Sequence, residues 1–293
     1  MKRNKLLSLL LVNNMWIVIA LLAALFSGLT TICAKKGVKN VDSILGSSIR
    51  TTVVLLISFL IVILFSSFDK VNFKTITFLI LSGVSTTLLW LNYFKALDFG
   101  NVNEVTPVDK TSIVLTLILS CIFLNEKITV IKIISSILII SGAFLMVNKK
   151  EHSNNKRWIK YAILTAIFTS VSAIISKIGL RDIEPNLGNL YRTIFVFIFM
   201  WLIVLLKKKQ KYIKSINKKS WLYLILSGIT TSLSWIYYFN ALKEGEASIV
   251  FPIEKLSVVV SIGLSYILLK ERMTKKSIIG LILIVAGTYI LII

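Results

Sequence analysis

The sequence predicts an all-α integral membrane protein: ten transmembrane helices built as two inverted five-helix repeats. Three observations predict it. Hydrophobic residues make up 56% of the 293-residue chain and charged residues only 16%, well below the roughly 25% charged of soluble domains. Apolar runs of the length that crosses a bilayer, about 18 residues or more, recur along the chain. Finally, the segment 81–125, LSGVSTTLLWLNYFKALDFGNVNEVTPVDKTSIVLTLILSCIFLN, returns at 226–270 as LSGITTSLSWIYYFNALKEGEASIVFPIEKLSVVVSIGLSYILLK, at a constant offset of 145 residues. The rarer residues coincide: Trp90 with Trp235, Tyr93 with Tyr238, Gly100 with Gly245, Pro107 with Pro252, Lys110 with Lys255 and Glu126 with Glu271. Self-similarity at a fixed period is the mark of a duplicated unit.

The elements follow in order. A basic tail (Lys2, Arg3, Lys5) and the apolar residues after it have the start of a signal peptide. Trp16 to Lys35, however, aligns with Trp158 to Lys177 at an offset of 142, so this stretch is expected to remain as an uncleaved first helix. The ten spans are placed at 16–34, 44–66, 76–97, 102–124, 131–147, 159–176, 187–206, 221–242, 247–269 and 277–293. Asn40–Ser43 and Asp182–Pro185 punctuate the first and sixth connections. Arg50 and Arg192 also align at offset 142; the 207–220 loop, KKKQKYIKSINKKS, then lengthens the offset to 145. Gln210 to Ser220 is expected to be solvated. Residues 1–147 form the first repeat, 148–157 (NKKEHSNNKR) the polar linker, and 158–293 the second repeat.

Five spans per repeat is an odd number, so the second repeat enters the membrane from the opposite side. Inverted repeats place a substrate site near the midplane at their interface. The net charge of +21 would suggest nucleic acid in a soluble protein. Here Lys and Arg gather between apolar runs, so the expected partner is the lipid bilayer and not nucleic acid. Outside the spans, the face carrying the N-terminus has 10 Lys and Arg and the other face 20. The positive-inside rule then puts both termini outside.

Chemistry can reside in few places. Trp90, Tyr93, Phe94 and Leu97 share one helix face, and Trp235, Tyr238, Phe239 and Leu242 repeat it. They read either as interhelical packing and an aromatic belt or as the aromatic wall of a substrate cavity. Gly83 and Gly228 allow close helix approach. Pro107 and Pro252 lie inside the fourth and ninth spans, where proline removes a donor and breaks or kinks the helix. Two residues later come Asp109-Lys110 and Glu254-Lys255. Adjacent residues on a helix point about 100° apart, so each charge is expected to need its own partner. Arg50 and Arg192 enter at similar depth, which makes an Arg50–Asp109 and an Arg192–Glu254 ion pair feasible and leaves Lys110 and Lys255 to face a cavity or snorkel. Two cations and one carboxylate per repeat favour a substrate with an anionic group; aromatic faces would equally suit a cation. Glu126 and Glu271 are expected to cap or anchor the helix that follows each.

Cys33 and Cys121 lie in apolar runs without metal or disulfide spacing. His152 falls in the linker. No HExxH, GxSxG, Walker or dinucleotide motif is present, so no enzyme, no cofactor and no metal is expected.

These motifs, PVDKTS and PIEKLS, the SG-x(6)-W-x(2)-Y-F-x-A-L string before them, and EKIT and ERMT after, resemble the drug/metabolite transporter superfamily in its EamA-like branch. The resemblance covers both halves and makes the chain look like two five-helix units fused. It implies ten helices, a central cavity, and secondary transport or export of a small polar or amphipathic metabolite by alternating access, without ATP. It would put both termini in the cytoplasm, against the charge count. It leaves open a coupling proton or ion and a homo-oligomer, and a lipid-linked headgroup flippase is the competing reading. The residues expected to bind substrate are Trp90, Tyr93, Asp109, Lys110, Trp235, Tyr238, Glu254 and Lys255. Arg50 and Arg192 would support them through ion pairs, and Pro107 and Pro252 would break the helices.

Overall fold

The computed structural model describes residues 15–38, 41–66, 71–99, 105, 108–109, 111–146, 157–269 and 274–292. Pro107, Lys110, Gly100, Glu271, His152 and linker residues 148–156 lie outside them. Every regular element in the described residues is helical. The helices are α1 (Met15–Gly37), α2 (Ser43–Phe65), α3 (Phe73–Phe99), α4 (Ser112–Leu124), α5 (Val130–Met146), α6 (Arg157–Gly179), α7 (Pro185–Leu206), α8 (Lys218–Glu244), α9 (Ala247–Glu254), α10 (Ser257–Leu264) and α11 (Lys275–Ile292). Seven spans, with 247–268 taken as one, are long and apolar enough to cross a membrane.

Local signals place the helix ends. Asp42 caps α2 by accepting from the amides of Ile44 and Leu45 at 3.1 and 3.2 Å. At the matching position, Glu184 caps α7 by accepting from Asn186 and Leu187 at 3.1 and 2.8 Å. A carboxylate there satisfies otherwise unpaired N–H groups and opposes the helix dipole. Asn125 stops α4 in the left-handed region, at φ 56°, a conformation that asparagine tolerates. The 207–220 connection departs from a plain loop: Lys209–Ser215 forms a 3₁₀ helix and α8 begins at Lys218.

Polarity is inverted relative to a soluble domain. Large apolar side chains such as Leu56, Phe65, Phe73, Ile122, Ile137 and Ile282 point outward, while the interior holds Ser47, Ser48, Thr51, Ser82, Thr116, Ser170, Thr193 and Ser232. In lipid the outer face costs nothing, and small hydroxyl-bearing residues let helices approach. Many hydroxyls satisfy themselves on the carbonyl one turn back, as Thr87 does on Gly83 (2.9 Å) and Ser232 on Gly228 (2.8 Å).

The helices interlock across the two halves. The principal packings are α1 on α8, α3 on α6, α2 on α7 and α5 on α11. The first two pairings exchange under the repeat, and the last two join equivalent helices. α5 and α11 run antiparallel. A Cβ on Gly142 would stand 2.4 Å from the Gly280 carbonyl oxygen, and one on Gly287 would stand 2.9 Å from that of Ser135. Gly142 corresponds to Gly287 and Ser135 to Gly280, so one contact is the other with the halves exchanged. The same holds for Gly83 against the Arg192 backbone and Gly228 against that of Arg50, at 3.3 and 3.1 Å.

The expected fourth and ninth spans are not continuous. α9 ends at Glu254, a turn occupies Lys255 and Leu256, and α10 restarts at Ser257. Pro252 sits inside α9 and brings no N–H to the ladder. In the first half Val105, Val108 and Asp109 are helical, Thr111 is a turn, and α4 starts at Ser112. Equivalent bonds bracket the two breaks: Thr111 N–H to Val108 O at 3.1 Å, and Leu256 N–H to Ile253 O at 3.0 Å.

Candidate functional site

The two breaks bring charge to the interface between the repeats. Lys255 ends α9, so its ammonium leaves the helix direction and reaches two carboxylates, Asp109 at 3.3 Å and Glu254 at 3.6 Å. Asp109 and Lys255 are each only 8% exposed. The expectation that sequence-adjacent charges need separate partners is therefore corrected here: it assumed an unbroken helix. Each carboxylate also accepts from a hydroxyl of the other half. Thr169 on α6 donates to Asp109 at 3.3 Å and Ser27 on α1 to Glu254 at 2.8 Å. Thr169 and Ser27 are equivalent at offset 142. Sequence reasoning passed over both; the hydroxyl in both halves at that offset was the available signal. Phe251 lies under the ammonium, 4.7 Å from it to the ring centroid.

The arginines do something other than expected. Among the described residues, neither Arg50 nor Arg192 makes an ion pair. Arg50 lies 3.8 Å from the centroid of Trp90 and Arg192 4.0 Å from that of Trp235. The reason is packing: α2 lies on α7 and α8, away from Asp109, which faces Thr169 and Lys255. The Trp90 and Trp235 rings are thus each covered by a guanidinium. Tyr93 packs edge-on to Trp90, with centroids 5.7 Å apart. Tyr238 packs beside Phe239 at 5.9 Å, between the two largest apolar clusters. Pro107 and Lys110 lie outside the described residues.

Polar side chains cap several helix ends. Glu126 accepts from the amides of Ala247 and Ser248 at 2.8 and 3.0 Å. It therefore caps α9 of the other half and not the helix that follows it, because the interlocked packing brings that N-terminus closer. Lys177 donates to the carbonyls of Leu242, Lys243 and Gly245, and Lys243 to those of Leu180, Arg181 and Ile183.

Two interlocked helical repeats with an apolar exterior, interrupted helices and a buried charge cluster define a multi-pass membrane protein. The chain belongs to the EamA-like transporter family, whose model matches residues 14–148 and again 156–293; it is a multi-pass transporter-family protein of the cell membrane. It is 32% identical over 137 residues to an uncharacterized transporter in a cobO 3' region of Sinorhizobium sp., covering 97% of that protein and 47% of this chain. It is 32% identical over 129 residues to an uncharacterized protein of Methanocaldococcus jannaschii, covering 91% of that protein and 44% of this chain. Both relatives are thus spanned almost whole by one repeat's length. An uncharacterized transporter of Clostridium kluyveri is 23% identical over 231 residues, 75% of this chain and 73% of that one. One crystal structure shares the fold with a TM-score of 0.77 over 94% of this chain and 97% of that one, at 15% identity.

Proposed function

We propose that this protein is a secondary transporter that moves a small polar or amphipathic metabolite, without ATP, along a path between two inverted five-helix repeats that together make ten transmembrane helices. The observation that carries this reading is the Asp109–Lys255–Glu254 cluster, held at two helix breaks and shared between the halves. Buried charges at membrane depth cost about 2.5–3.5 kcal/mol each on insertion scales and mark substrate or ion pathways. Interrupted helices at a repeat interface are the usual construction of such pathways. The antiparallel packing of the equivalent helices α5 and α11 supports the inversion. In this reading Asp109 and Glu254 hold the coupling proton or ion. Lys255 keeps the two carboxylates together until the substrate arrives, and rocking of one half against the other alternates access. Tyr93 and Tyr238 line the path beside the arginines.

The test starts from purified full-length protein in a thermal-shift screen of metabolites, since a ligand of the native state raises apparent stability. The ligand found is then followed into proteoliposomes. Uptake that depends on Lys255, and is lost in Lys255→Gln protein that still inserts and binds detergent normally, is expected. Full uptake by that variant removes the cluster from the pathway.

A further inference from the structure

Among the described residues, one buried cation has neither a counter-charge nor a hydrogen bond. Arg50 is 2% exposed, and its Nε, Nη1 and Nη2 have no hydrogen-bond partner among the described residues. The Oγ of Ser47, one turn earlier on the same face of α2, is buried and unpartnered too. The Trp90 ring covers one side of the guanidinium. A ring face offsets only a small part of what water gave the charge.

The equivalent site in the other half shows that this arrangement is not forced by the fold. Arg192 donates to Thr86 Oγ1 at 3.1 Å and to Asn189 Oδ1 at 3.3 Å. Asn189 occupies the position of Ser47, whose shorter side chain has no carbonyl to offer. Thr231 occupies the position of Thr86, but its hydroxyl donates to Ser227 O at 2.6 Å and lies 3.4 Å from Thr30 Oγ1. Around Arg50 one acceptor is thus replaced by serine, and the other hydroxyl, that of Thr231, makes no hydrogen bond to the guanidinium. The central lysine cannot take the role of a free cation, because Lys255 already faces two carboxylates.

We propose that Arg50, with Ser47, is the seat for an oxyanion, a carboxylate or a phosphate, carried by the transported substrate; that the oxyanion belongs to the cargo rests on the transport reading above. A guanidinium presents its donors as a planar fork that matches two oxygens of such a group, and it neutralises the charge as water cannot. Arg192 is the structural counterpart, its fork held by Thr86 and Asn189. The two arginine sites are therefore asymmetric, so substrate binds in one register on the first half.

The experiment is thermal unfolding of the purified full chain with sodium acetate, sodium phosphate, or sodium chloride at matched ionic strength. A saturable rise with acetate assigns a carboxylate and one with phosphate assigns a phosphate. Arg50→Gln should abolish the rise and Arg192→Lys should keep it. Arg50→Lys, which keeps the charge but loses the fork, should raise the half-saturating concentration about tenfold. Ser47→Asn, which supplies the acceptor that Asn189 supplies to Arg192, should melt higher without additive and bind the same oxyanion about tenfold more weakly. No rise above chloride in the wild type overturns the proposal, as does an unchanged half-saturation in Arg50→Lys and Ser47→Asn. Because the measurement needs no transport, such a failure leaves the transport reading standing, and a failure of uptake leaves a positive binding result intact.

Discussion

The two halves match in their packing and differ in their polar partners. Gly83 on Arg192 and Gly228 on Arg50 are the same contact made twice. Asp109 with Thr169 and Glu254 with Ser27 are likewise one design made twice. Around the arginines the match ends: among the described residues Arg192 has two hydrogen-bond partners and Arg50 has none. Ser82 pairs with Ser176 at 2.6 Å. Its counterpart Ser227 has an unpartnered Oγ, because the position equivalent to Ser176 is Ala34. Close backbone contacts resist change, since any added atom must displace a neighbouring helix. A side-chain partner can be lost at a cost of about 1–3 kcal/mol, so it is there that two copies of one unit can acquire different roles.

The largest effect is expected at the central charge cluster. Lys255→Gln leaves Asp109 and Glu254 without the cation between them, and losing one side of a buried ion pair costs about 3–5 kcal/mol. The expected result is a large drop in unfolding temperature together with loss of uptake. Next comes the pair Thr86→Val and Thr231→Val. The first removes a hydrogen bond to a charged group, about 1.5–3 kcal/mol, and the second a neutral one, about 0.5–1.5 kcal/mol. Equal losses in denaturation measurements would contradict the difference drawn between the arginines. Gly142→Ala should cost about 1–3 kcal/mol by overpacking, and Gly287→Ala less, since their added Cβ atoms would meet carbonyl oxygens at 2.4 and 2.9 Å respectively. The smallest effect is a gain: Ala34→Ser gives Ser227 a partner and should stabilise by about 0.5–1 kcal/mol, readable as a small upward shift in melting.

The sequence by itself determined the class and the duplication. Apolar runs and the 145-residue echo are properties of the chain read along its length, and they place a helix wherever hydrophobic residues persist. That the ninth span carries a proline was also legible, though α9 runs through Pro252 and gives way only at Lys255 and Leu256. Which side chain meets which was not. The expected Arg50–Asp109 and Arg192–Glu254 pairs assumed that charges at equal depth in one half face each other. The halves interlock instead, so Lys255 crosses to Asp109, Glu126 crosses to α9, and the arginines turn onto Trp90 and Trp235. Depth in a membrane is written in the sequence, since it follows from residue number along a helix of fixed rise. The angle at which a side chain leaves the bundle depends on which helices lie beside it, and only tertiary packing decides that.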